Sequence, residues 1–157
     1  MPQMSQLDEL GHSCPDKVVG QRVAAAIAQL FANDLALFRI DAAERAIAGQ
    51  LMAHLRPQFP DWHVDVEYNR MGDGPKDVAW NENPERVYPD IIVHVRETHS
   101  NLLAIELKKS SNRESKHDDV KKLVAYKHDG RLSYKQCLFV RFGVKEQAGT
   151  VVECGWV

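Results

Sequence analysis

Apolar residues recur along the chain with two different periods, and the switches between them divide it into helices and strands. Val19, Val23, Ala26, Ile27, Leu30 and Phe31 fall three or four apart, the spacing of one helix face, so a helix capped by Asp16 is predicted over 16–33. Residues 35–40 follow as a short apolar linker. A second helix is predicted over 41–56, its stripe formed by Ile47, Ala48, Leu51, Met52 and Leu55, with Pro57 and Pro60 closing it. The period then drops to two. Residues 62–69 alternate as a strand, with Val64, Val66 and Tyr68 on one face and His63, Asp65, Glu67 and Asn69 on the other. Residues 88–109 read as two β-branched apolar strands joined by a polar turn at 97–101, a hairpin signal. A helix follows over 115–128, with Ser115 as its cap and Val120, Leu123 and Val124 as its buried side, and then strands at 136–142 and 150–157. Two stretches lack periodicity. Residues 1–15 are expected to form a flexible N-terminus, and 71–87, with Gly72, Gly74, Pro75 and Pro84, a loop bordering a cleft.

Composition narrows the class. A chain of 157 residues with 44% hydrophobic content suits one globular domain with a sizeable core. It shows neither a basic start followed by an apolar run nor any stretch near twenty apolar residues, so neither secretion nor a membrane span is expected. Cys14, Cys137 and Cys154 are odd in number and far apart, which points to a reducing cytoplasm rather than a disulfide framework. The absence of G-x-x-x-x-G-K-[ST] and G-x-G-x-x-G argues against a P-loop ATPase or a Rossmann-type enzyme. Net charge is only −2, but residues 108–135 hold nine basic side chains against four acidic ones. Such a segment can track a phosphate backbone, with Lys109, Lys121, Lys122 and Tyr126 as candidate contacts, or it can be a solvated helix surface.

Chemistry enters where charge interrupts apolar strands. Asp90 opens the first strand of the hairpin, and Glu106 and Lys108 share one face of the second while Leu103, Ile105 and Leu107 take the other. A carboxylate in so apolar a strand needs a partner. Two carboxylates with an ammonium on adjacent strands suit Mg²⁺ or Mn²⁺, whose preferred ligands are oxygens, the lysine touching metal-bound water. Glu44 has two readings. It completes a capping box with Asp41, or it approaches a metal site from the core-facing stripe of its helix. Glu67 is either a further ligand or a strand carboxylate facing solvent or Arg70.

Pro89-Asp90 followed by Glu106-x-Lys108 resembles the PD-(D/E)xK motif of the restriction-endonuclease-like nuclease superfamily. The predicted order of elements over 41–142, helix, strand, strand, strand, helix, strand, is similar to the core of that fold (αβββαβ), with a helix added in front and a strand behind. The blocks E-Y-N-R, P-D-I-I-V-H-V-R and N-L-L-A-I-E-L-K-K-S resemble a group of small bacterial proteins in the superfamily, for which a fold but no activity carries over. RecB-like members bear Gln-x-x-x-Tyr on the helix after the lysine. Lys122 and Tyr126 have that spacing, but the glutamine is missing.

The resemblance implies an α/β fold with a mixed central sheet of four to five strands flanked by helices. It implies Mg²⁺ or Mn²⁺ held by Asp90, Glu106, the backbone carbonyl of Leu107 and Glu44, directly or through water, with Glu67 as a further ligand. Lys108 would orient the nucleophile, and the reaction would be hydrolysis of phosphodiesters in nucleic acid, DNA ahead of RNA. A homodimer is left open. The alternative is a catalytically inactive domain of this fold that binds nucleic acid or protein.

Overall fold

Strand β5 (Asn101–Lys109) is the spine of a five-stranded mixed sheet in the computed structural model, which describes residues 5–66, 77–78, 85–86 and 89–157. Across the sheet the order is β1 (His63–Val66), β4 (Ile91–His94), β5, β6 (Gln136–Phe142) and β7 (Val151–Trp156). The predicted hairpin is present as the antiparallel pair β4–β5, with Ile91 opposite Ile105 and Ile92 opposite Ala104. Among the described strand pairs only β5 and β6 run parallel. A parallel pair needs a crossover, and helix α4 (His117–His128) supplies it. β6 and β7 are antiparallel, linked through a 3₁₀ turn at Lys145–Gln147. Within the stretch expected to be a loop, β2 (Asp77–Val78) and β3 (Glu85–Arg86) pair with each other as a small separate ribbon.

The alternation along β5 sorts the core into two layers. Leu103, Ile105 and Leu107 pack with Val23, Ile27, Leu30, Ile47 and Leu51 from α2 (Lys17–Arg39) and α3 (Glu44–Gln58). On the opposite face Ala104, with Ile92 and Phe139, meets Leu123 and Tyr126 of α4. The result is an α/β protein with four helices among its described residues and one five-stranded sheet containing a parallel pair. No helix among the described residues is long and apolar enough to cross a membrane.

Three helical expectations need correction. The N-terminal segment is not loose, because residues Gln6–Ser13 form helix α1, capped by the Ser5 hydroxyl, which accepts from the Asp8 N–H at 3.1 Å. Leu10 is fully buried there, and its carbonyl accepts from the Trp156 indole at 2.9 Å. One buried leucine in eight residues is too little pattern to read, and so short a helix owes its stability to packing. The 35–40 linker is also helix, since α2 runs to Arg39 through a single non-helical residue, Asp34 (φ −125°, ψ 26°). Phe38 holds this last turn in the core, with its ring 5.4 Å from Phe31 and 5.5 Å from Phe142. Finally, α4 buries Asp119, Leu123 and Tyr126 and leaves Val124 exposed, whereas the apolar pattern favoured Val120 and Val124. The helix is rotated by the polar side chains that β5 presents to it.

Candidate active site at the ends of the central strands

Asp90 stands one residue before β4, where the register carries it opposite Glu106. Its Oδ2 accepts from the backbone N–H of Leu107 at 2.8 Å, which extends the β4–β5 ladder by a side chain. The two carboxyl groups act on each other: Asp90 favours a proton on Glu106, and Glu106 favours the charged form of Asp90. Glu106 is only 4% exposed, and the Tyr126 hydroxyl donates to its Oε1 at 3.2 Å. Burial first, then the neighbouring Asp90, push the Glu106 carboxyl well above the usual carboxylate range. Asp90 is also raised, chiefly by burial, against the lowering effect of the Leu107 N–H and of Glu106. A buried carboxyl group facing a half-buried one is costly to keep charged without a proton or a cation to offset the repulsion.

Glu44 does not cap its helix. The N-cap of α3 is Ala43, with no side-chain bond, and the Glu44 carboxylate instead accepts from the backbone N–H of Lys109 at 2.9 Å. Asp41, in a left-handed conformation (φ 56°), accepts from the Ser111 hydroxyl at 2.8 Å and pairs with the Lys109 ammonium at 3.0 Å. Both acids therefore reach across to the end of β5 rather than to each other. Glu44 and Asp90 line one cavity of about 190 Å³, together with Arg45, Ala48 and Val66.

Lys108 shares the face of Glu106, as the alternation required, but its ammonium lies 3.0 Å from Asp119 and 3.5 Å from Glu114. Burial disfavours its charge. The Asp119 carboxylate, with Glu44 and Glu114, outweighs that and holds the amine above its usual range. Lys108, Asp119 and Lys122 line an open cavity of about 540 Å³. Asp119 is the residue that the sequence reading missed. Its signal was the stripe Asp119, Leu123, Tyr126, at spacings of four and three.

The nucleic-acid candidates fare unequally. Lys121 is exposed and Lys122 half-buried, whereas the Lys109 ammonium is engaged by Asp41. Tyr126 is corrected outright: it is fully buried against Glu106 and offers no surface to a ligand. Glu67 lies outside the described residues.

Among the described residues no three His, Cys, Asp or Glu side chains gather closely enough to cage a metal ion. The two carboxyl groups that face each other, Asp90 and Glu106, fit Mg²⁺, which is commonly held by one or two carboxylates while water and substrate phosphate complete its shell, and Glu44 shares a cavity with Asp90. They do not fit an ion that demands an all-protein cage. No protein-family model matches the chain, and no curated protein matches it.

Proposed function

We propose that this protein is a divalent-metal-dependent nuclease with a restriction-endonuclease-like core, hydrolysing phosphodiester bonds of DNA or RNA. The observation that carries the reading is the placement of Asp90 opposite Glu106 across the β4–β5 ladder, two carboxyl groups both raised above their usual range, an arrangement that a cation would relieve. Asp90 and Glu106 would hold Mg²⁺ or Mn²⁺, with Glu44, the Leu107 carbonyl and Glu67 as further oxygen donors. Bound there, the ion supplies Lewis acidity and a more acidic water. The rest falls to the chain. The Leu107 N–H orients Asp90, and Tyr126 fixes Glu106. Asp119 keeps Lys108 protonated beside the site, where its charge offsets negative charge growing on a phosphodiester. Lys121 and Lys122 extend that positive surface along α4.

One observation favours the rival reading, an inactive binding module. The Lys108 ammonium is paired with Asp119 and Glu114 instead of the Asp90–Glu106 pair. Labelled single- and double-stranded DNA and RNA incubated with Mg²⁺ or Mn²⁺ decide between them. Cleavage is expected, and Asp90→Asn should reduce it by about a hundredfold or more with an unchanged circular dichroism spectrum. If the unmodified protein cuts none of the four substrates with either metal, the nuclease reading falls and the binding module stands.

A further inference from the structure

The end of the sheet away from Asp90 holds a cavity of a different character, about 360 Å³, formed where the C-terminus of α3 meets β1 and the β4–β5 turn. Its lining includes Arg56, Phe59, Pro60, Trp62, His63 and Arg96, and none of its described lining residues is acidic. The two cavities at the candidate active site, in contrast, both contain carboxylates. Phe59 is fully buried, with the Arg22 guanidinium 5.7 Å from its ring centre, and Trp62 is half-buried on the edge of the main core. Trp62, backed by the buried Phe59, is therefore the aromatic surface the cavity offers. Arg96 is committed to Asp65, donating at 2.5 and 2.9 Å, so it braces the turn. Arg56 is exposed, with a weak contact to the Met52 sulfur at 3.9 Å, and is the cation placed to move toward a ligand. His63 has a defined role as well. Its Nδ1 accepts from the Arg96 N–H at 2.9 Å, so in the neutral ring the proton sits on Nε2, which becomes an outward donor.

A concave aromatic wall rimmed by a guanidinium and a ring N–H, with no acid in the lining, suits a ligand that is a flat ring attached to an anion. The geometry points to this cavity as a binding site for one nucleotide of a single strand, the base stacked on Trp62 and its phosphate held by Arg56 and His63. A duplex keeps its base faces stacked and cannot offer one, which selects single-stranded over double-stranded nucleic acid. His63 pairs with His94 and Val66 with Ile91, so the cavity lies three residue steps, roughly 10 Å, along β1 from the Asp90 end. A strand anchored here is held near the acidic site without entering it. The inference rests on the nucleic-acid reading above for its choice of polymer, but not on cleavage.

The test is fluorescence anisotropy of 5′-fluorescein-labelled dT10, rU10 and an abasic decamer with the full chain in EDTA, where no cutting interferes. Either dT10 or rU10 should bind, the tighter of the two naming the sugar, and the abasic strand should bind about fivefold or more weakly because it cannot stack. Arg56→Glu should weaken dT10 binding by about tenfold and reduce the slope of log K against log salt by about 1. His63→Ala should weaken it by a smaller factor. Both residues are exposed, and these variants, like Trp62→Leu, are read only where the circular dichroism is unchanged. Equal affinity for the abasic strand, unchanged affinity in Arg56→Glu and His63→Ala, or no binding of any decamer overturns the site. Cleavage with Mg²⁺ alongside any of those results leaves the nuclease reading standing, and binding here without cleavage anywhere sinks the nuclease reading alone.

Discussion

Glu106 shows how a single side chain can tie stability to pH. Its neighbours are Asp90 just before β4 and Asp119, Lys122 and Tyr126 on α4; burial and the two carboxylates raise its pKa, and Lys122 opposes them. A carboxyl whose folded pKa is raised binds its proton more tightly in the native state. Its stabilising contribution is complete below the unfolded value near 4.5 and is lost as pH rises through the folded value. Asp90 has the same sign. Asp65 has the opposite one: despite burial, its bonds to Arg96 and His94 hold it low, so its contribution is lost only as pH falls below 3.8. In EDTA the melting temperature should therefore decline from pH 5 to pH 8, and Glu106→Gln, an uncharged amide of nearly the same shape, should flatten the decline. A flat profile in the unmodified protein would refute the carboxyl pair. At this scale the sequence was informative about Asp90, Glu106 and Lys108, because a charge inside a β-branched run stands out. It was silent about Asp119 and misleading about Tyr126, because polar residues on a helix read as surface until the strand beneath is seen to need them.

Between helices the controlling feature is a close approach. α1 and α2 cross where Gly11 meets Gly20, and a Cβ on Gly20 would collide with the Gly11 carbonyl and stand 2.7 Å from the Cys14 Cβ. Gly20→Ala should destabilise the protein by about 1–3 kcal/mol, since a backbone oxygen cannot rotate away as a side chain can. Gly49, inside α3, has nothing within 4 Å of its Cβ position. Gly49→Ala should instead stabilise by about 1 kcal/mol through helix propensity. Thermal unfolding of the two variants should move in opposite directions. Element boundaries were legible where periodicity was long, as in α2 and the β4–β5 hairpin. They failed at α1 and at the start of α3, where Asp41 and Glu44 had the spacing of a capping box but found partners on β5 instead.

For the whole molecule, the arrangement places an acidic pair at one end of the sheet and a basic, aromatic cavity at the other, with β1 and β4 spanning the two. A cation that binds only the folded chain stabilises it by mass action, about 2.7 kcal/mol at one hundred times its dissociation constant. Near pH 7.5, saturating Mn²⁺ should raise the melting temperature by several degrees, and Asp90→Asn combined with Glu106→Gln should abolish the rise. An equal rise in the double variant would place the ion elsewhere.

The sequence by itself determined which segments would be strands and which long helices, and which face of β5 would carry charge, because side-chain period and burial are local consequences of residue order. Only the tertiary structure decided what those charges meet. The partner of Lys108 is eleven residues away on another element, that of Glu106 is on α4 as well as β4, and Glu44 finds its hydrogen bond across the fold at Lys109. Such pairings depend on how helices settle on the sheet, a choice made by all the packed side chains together.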